Sequence, residues 1–170
     1  MLTVVCNHSF PREAPISIRF VALETDVVAA QRRGAPDANG QIPELNSATS
    51  AGLPCRHCLE LIAVGEPYLI LAHRPFPAAQ PYAEIGPIFL HSEACVRGGG
   101  TAAIPPFLAS PSYIVRGYGK NDRIVYGTGK VVPTGEIPQA AGRLLDDPEI
   151  AYVHVRSASN NCYHCRIERD

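Results

Sequence analysis

The sequence predicts an α+β fold: mostly antiparallel sheet, a few short helices and a zinc-knuckle element. Three observations carry this. Short runs rich in Val, Ile and Tyr recur between turns marked by Gly and Pro. Only two stretches have the spacing of a short helix. Cysteines and histidines fall in close pairs at metal-ligand spacing. A chain of 170 residues, 46% hydrophobic and 18% charged, is an ordered protein of single-domain size. Folding at that length hides ~70% of the unfolded chain's surface, so disulfides are not needed to stabilise it.

The elements follow in order. Ile16 to Leu23 alternates as a first strand. Thr25 is placed to cap a helix over Asp26 to Arg33. Asp26 in its first turn and Arg32 and Arg33 in its last suit the helix dipole, and Gly34 stops it. Residues 35–54 show no periodicity and read as a long polar loop. Glu66 to His73 is an apolar run between prolines, a buried strand. Pro77 to Pro87 is a proline-broken connection, and Pro87 to His91 is a further strand. Ser92 opens a turn or helix that contains Cys95. Ser112 to Tyr118 and Arg123 to Val132 flank Gly119–Asp122 as a hairpin. A helix from about Glu136 to Leu145, capped by Thr134, sets Ile137, Ala140, Ala141, Leu144 and Leu145 on one face. A further strand runs from Ile150 to Arg156, followed by a Ser-Asn loop, and Cys162 precedes a terminal strand.

Composition also bounds the setting. Fifteen Lys and Arg stand against sixteen Asp and Glu, which counts against nucleic acid as a partner. Met1 to His8 carries no basic leader, and no stretch approaches the ~18 apolar residues of a membrane span. The expected location is the cytoplasm, with no membrane association. In that reducing compartment close cysteine pairs are metal ligands or redox centres more often than disulfides.

Five of the six cysteines lie in three close pairs, and Cys6 stands alone. Cys55-Arg56-His57-Cys58 and Cys162-Tyr163-His164-Cys165 are C-x2-C knuckles, and His91 and Cys95 form an H-x3-C pair. A two-residue spacing lets one tight turn aim both sulfurs at a single ion, and closed tetrahedral zinc needs four such ligands. Two ligand sets satisfy this: Cys55 and Cys58 with His91 and Cys95, or Cys55 and Cys58 with Cys162 and Cys165. The stretch Leu59 to Tyr68, with Gly65-Glu66 after the knuckle, resembles treble-clef fingers of the poly-ADP-ribose polymerase type. That resemblance implies the first set, with the second ligand pair supplied by a helix start, although such fingers usually carry H-x2-C. As alternatives, the cysteines are ordinary small hydrophobes, or one C-x2-C is a redox dithiol.

Alternation in Ala151–Arg156 puts Tyr152, His154 and Arg156 on one face, and Asn161 follows closely. A solvated face of this kind suits a small anionic ligand, with Arg156 as fork donor and His154 as acid or base. Its bland counterpart is a polar strand face without a ligand. His57 and His164 sit inside the knuckles, and His73 reads as structural. Gly127–Lys130, Gly117–Gly119 and Gly98–Gly100 each lack the residues that phosphate or dinucleotide loops require.

From about Ile16 onward the chain resembles a bacterial family known as domain of unknown function 1203. The strings that carry this are Pro54–Leu59, Gly65-Glu66-Pro67, Pro81–Glu84, Gly86–Phe89, Asp122–Tyr126, Tyr152–Arg156 and Asn161–Arg166. The resemblance implies a single domain over residues 16–170, preceded by an extension, 1–15, expected to be poorly ordered. It brings no reaction, substrate or catalytic residue. Two functional classes follow from the residues. One is a module holding one structural zinc that binds a protein or a small anion. The other is an enzyme with a cysteine- or metal-based site near His154, Arg156 and Cys162, or a thiol redox protein.

Overall fold

Ten short strands and two helices form in the computed structural model, which describes residues 16–170. The expected extension over residues 1–15, with Cys6 and His8, lies outside the described residues. Strand β1 (Ile18–Val21) precedes helix α1 (Thr25–Arg32). Then come β2 (Glu44–Ser47), β3 (Leu53–Pro54), β4 (Leu61–Ile62), β5 (Pro67–His73) and β6 (Gly86–His91). Strands β7 (Ser112–Tyr118) and β8 (Lys130–Pro133), helix α2 (Ile137–Leu145), β9 (Tyr152–Ser157) and β10 (Tyr163–Arg169) complete the chain.

The largest sheet has the order β1-β10-β9-β7-β8, every pair antiparallel. Alternation along its strands sends Phe20, Val115, Val153, Val155 and Ile167 to one face. There they meet Ile137, Ala140, Ala141 and Leu145, which the 3.6-residue repeat of α2 places on a single stripe. Leu145 is fully buried, and truncating it to Ala would cost ~2–5 kcal/mol. A second core lies under the three-stranded sheet β2-β5-β6, where Val28, Ile62, Leu71, Ile88 and Leu90 pack with Cys55. The β3–β4 hairpin bridges the cores, and Cys55 beyond its first strand pairs with Phe89 of β6. Among the described residues, no helix is long and apolar enough to cross a membrane.

Several local expectations change. The 35–54 stretch contains β2, which escapes detection because it is a sheet edge with mostly exposed residues and no alternation. Helix α1 begins at Thr25 with Glu24 as N-cap and no side-chain cap bond, because the Thr25 hydroxyl is engaged by His57. Gly34, at φ +85°, does end that segment. The 112–132 hairpin closes at Gly119–Asp122, but its second arm turns at Tyr126–Thr128 before pairing resumes in β8. Thr128 Oγ1 holds that turn, donating to the Val125 carbonyl (2.6 Å) and accepting from the Gly117 amide (3.0 Å). Thr134 lies in a 3-10 turn and donates to the Ser110 carbonyl instead of capping α2.

Candidate metal centre

Cys55 and Cys58 stand in the tight turn between β3 and β4. His91 is the last residue of β6, and Cys95 follows in an irregular segment. The helix start expected to carry Cys95 is not formed: residues 92–95 bend and then run irregularly. Topology nonetheless brings the two pairs together, since β6 lies beside Cys55 through Phe89. One ligand atom from each of Cys55, Cys58, His91 and Cys95 falls within 4.8 Å of the other three. Tetrahedral zinc with ~2.3 Å bonds to sulfur needs sulfurs ~3.8 Å apart, so about 1 Å of contraction closes the set. Three thiols and one imidazole are also the donor chemistry that favours zinc.

Around the cluster stands a shell that orients it. His91 turns Nδ1 toward Cys58 Sγ (3.4 Å), while Nε2 faces the Glu66 carboxylate (3.4 Å). A histidine ligand backed in this way by a carboxylate is fixed in tautomer and ring orientation. Glu66 is itself held, because Oε2 accepts the Ala63 amide at 2.8 Å. His57, inside the knuckle, places Nδ1 3.1 Å from Cys95 Sγ and Nε2 3.0 Å from Thr25 Oγ1. Arg32 donates from Nη2 to Cys95 Sγ (3.1 Å) and from Nε to the His91 carbonyl (3.1 Å). The amide of His91 points at Cys55 Sγ, 3.4 Å away.

Electrostatics within the cluster favour a bound cation. Cys55 is pulled down to about 4, first by the Cys58 thiol and then by the amides of Cys58, His91 and His57, against the opposing effect of burial. The same contact pushes Cys58 up, because a second thiolate would sit beside the first. Burial and the Cys55 charge raise Cys95 as well. Burial and the neighbouring thiolate thus both oppose a further negative charge on Cys58 and Cys95. A dication held here would instead favour the thiolate form of all three cysteines. Three thiolates with one dication leave a single negative charge, which the Arg32 guanidinium faces directly.

Glycine makes the close packing possible at one point. A Cβ on Gly98 would lie 2.1 Å from the Cys58 carbonyl oxygen, and the Gly98 amide donates to the His57 carbonyl. Gly98–Gly100 is thus a strip laid against the knuckle and β1.

The second C-x2-C lies elsewhere. Cys165 is buried in the larger core on β10, where burial pushes its thiol up, and a bulge between Tyr163 and Cys165 separates it from Cys162. Neither cysteine joins a group of three or more ligands among the described residues. His164, between them, packs on Phe107 and Tyr113. Arg56 links the two regions: buried, it donates to the Tyr163 carbonyl (3.0 Å) and to the Pro54 carbonyl (2.5 Å).

His154 and Arg156 share one side of β9, but not on a solvated face, while Asn161 is exposed and meets Arg156 only through its carbonyl. His154 and Arg156 are 0% and 2% exposed. Alternation correctly places Tyr152, His154 and Arg156 on one side of β9. However, β9 is central in its sheet, and the connection from β5 to β6 covers that side. Four rings, of Phe76, Tyr118, Tyr152 and Tyr163, surround His154 at 4.4–5.4 Å between centroids. Burial, reinforced by Arg156, Arg166 and Arg116, pushes His154 well below the ordinary imidazole range. Arg156 donates to the Asn161 carbonyl (3.2 Å) and to Glu84 (2.6 Å).

Arg32, Thr25 and Glu66 are the contributors the ligand spacing could not reveal. The first two lie in a helix whose own pattern explains them, and Arg32 is 63 residues from Cys95. Only Glu66 had a signal, the Gly-Glu that follows the knuckle. No curated protein and no solved structure matches the chain. A family model, described as protein of unknown function (DUF1203), matches residues 52–169. The matched span contains all four clustered ligands and both C-x2-C pairs, and the chain belongs to that family.

Proposed function

We propose that this protein holds one zinc ion at Cys55, Cys58, His91 and Cys95, that the ion is structural, and that the domain is a binding or adaptor module. The observation that carries the reading is the convergence of four soft ligands, with both nitrogens of His91 engaged and Arg32 opposite the charge. Four protein ligands complete a tetrahedron and leave no position for water or substrate, as structural sites require and catalytic ones do not. The ion would tie the β3–β4 turn to the end of β6 and to the segment carrying Cys95. These ties join three separate chain segments at the edge of the second core, so the metal would contribute directly to folding.

Metal content separates this from the four-thiolate set. Purified wild-type protein is expected to carry one zinc per chain, Cys95→Ser to lose it, and Cys165→Ser to keep it. Chelation should lower the melting temperature of the wild type. Zinc lost from Cys165→Ser and kept in Cys95→Ser would reverse the assignment.

A further inference from the structure

Beneath the connection from β5 to β6, residues 74–85, two guanidiniums converge on one carboxylate. Arg116 on β7 donates from Nη2 to Glu84 Oε1 at 2.6 Å, and Arg156 on β9 donates from Nη2 to Glu84 Oε2 at 2.6 Å. The two oxygens of a single carboxylate are thereby divided between two neighbouring strands. At this point two positive charges meet one negative charge. Arg156 has only 3% of its side chain exposed, and its Nε has no partner. Beside it His154, fully buried, has no hydrogen-bond partner at either nitrogen. Arg116 is braced from behind, its Nε donating to the Tyr118 hydroxyl at 2.8 Å. The Arg156 fork is fixed by its bond to the Asn161 carbonyl at 3.2 Å.

The carboxylate is held far less firmly than the arginines. Glu84 belongs to a segment outside both sheets, and its side chain is 36% exposed. The backbone bonds of Ala83 and Glu84 close only on Gln80 and Tyr82 of the same segment. Its polar anchors beyond Glu84 itself are Gln80 on the Asp122 carbonyl (3.0 Å) and Tyr82 on the exposed Tyr126 hydroxyl (3.1 Å). A rigid pair of cations on the central sheet, filled by an acid on a weakly tied connection, is a preformed oxyanion site closed by its own chain.

We propose that Arg116 and Arg156 form the binding site for a carboxylate-bearing small ligand, and that Glu84 occupies this site until the ligand displaces it. The unpartnered Arg156 Nε supplies a further donor on the same guanidinium. Displacement would free the end of the connection around Glu84 while Phe76 stays packed among the rings about His154, so binding also changes the surface beside β9. The inference rests on the binding-module reading but uses none of the metal ligands, so zinc analysis and the experiments below fail separately.

Two measurements on the zinc-loaded protein test it. In the wild type, amide hydrogen exchange should show Ala83 and Glu84 opening at least about 100-fold more readily than His154 and Val155 in β9, as a subglobal event. In Glu84→Ala, acetate should raise the melting temperature above that in chloride at equal ionic strength and shift the Arg156 Nε–H resonance. Glu84→Ala/Arg156→Met should show neither effect. Recovery of a fold by Glu84→Ala only in acetate would support the site equally. If Glu84→Ala does not fold in either salt, the comparison is made in Glu84→Gln, with the same expectation. Identical behaviour in acetate and chloride would overturn the proposal, as would strap amides that exchange only together with β9. A response to inorganic phosphate without one to acetate would overturn the carboxylate assignment.

Discussion

Arg32 provides the sharpest test of how the proposed metal site is held. Its Nη2 lies 3.1 Å from Cys95 Sγ and its Nε 3.1 Å from the His91 carbonyl, so one side chain touches two ligand residues. Arg32→Met keeps much of the stem and removes both bonds together with the charge that faces Cys95. A hydrogen bond to a charged acceptor contributes ~1.5–3 kcal/mol, and the partial exposure of this one favours the lower half of that range. Loss of about 1.5–2.2 kcal/mol corresponds to a roughly 10- to 40-fold weaker zinc affinity, within the range of about 10- to 100-fold expected for groups that orient metal ligands. Competition with a chromophoric chelator at fixed pH reads this directly. Arg32→Lys should recover only part of the loss, because an ammonium keeps the charge but cannot fork to Cys95 and the His91 carbonyl together. A folded Arg32→Met with zinc affinity within about twofold of wild type would refute the reasoning.

Two further predictions follow from burial and close packing. Burial pushes His73 down to about 4 and His164 to about 3, and His154 lies well below 6.5. Depressed histidines stabilise the fold fully above the unfolded value near 6.5, and that contribution is lost as pH falls through the folded values. His73 and His164 should each remove about 3 kcal/mol by about pH 4, and denaturant titrations of His154→Phe should show a shallower acid limb than wild type. An equally steep limb would contradict the assignment. Gly98→Ala would drive a Cβ to 2.1 Å from the Cys58 carbonyl oxygen. Backbone on both sides leaves little room to yield, so about 3 kcal/mol of stability and part of the zinc affinity should be lost. Unchanged melting and metal binding would show that the Gly98 strip moves freely away from the knuckle.

Local pattern carried the helices, the hairpin and most strands because each is a short-range property of side-chain spacing. The Ile137–Leu145 stripe on α2 was legible for that reason. Strand β2 was not, since an exposed edge imposes no alternation. The β9 face shows the same limit in another form. Period two correctly grouped Tyr152, His154 and Arg156, but whether that face meets water depends on where residues 74–85 run. At the metal centre the ligand types and spacings were visible, yet two sets satisfied them equally. Folding distinguishes the sets through the pairing of Cys55 with Phe89, which brings the end of β6 to the knuckle. Thr25 and Arg32 illustrate the remainder. Both suited the ends of α1 on sequence grounds, and both turn instead toward residues in and around the cluster.

The central claim is the identity of the ligands, and X-ray absorption at the zinc edge addresses it most directly. Zinc-loaded protein should give a tetrahedral first shell of three sulfurs at ~2.3 Å and one nitrogen at ~2.0 Å, with the outer-shell scattering of a single imidazole. A shell of four sulfurs, or one with fewer than three sulfurs and added oxygen, would contradict it.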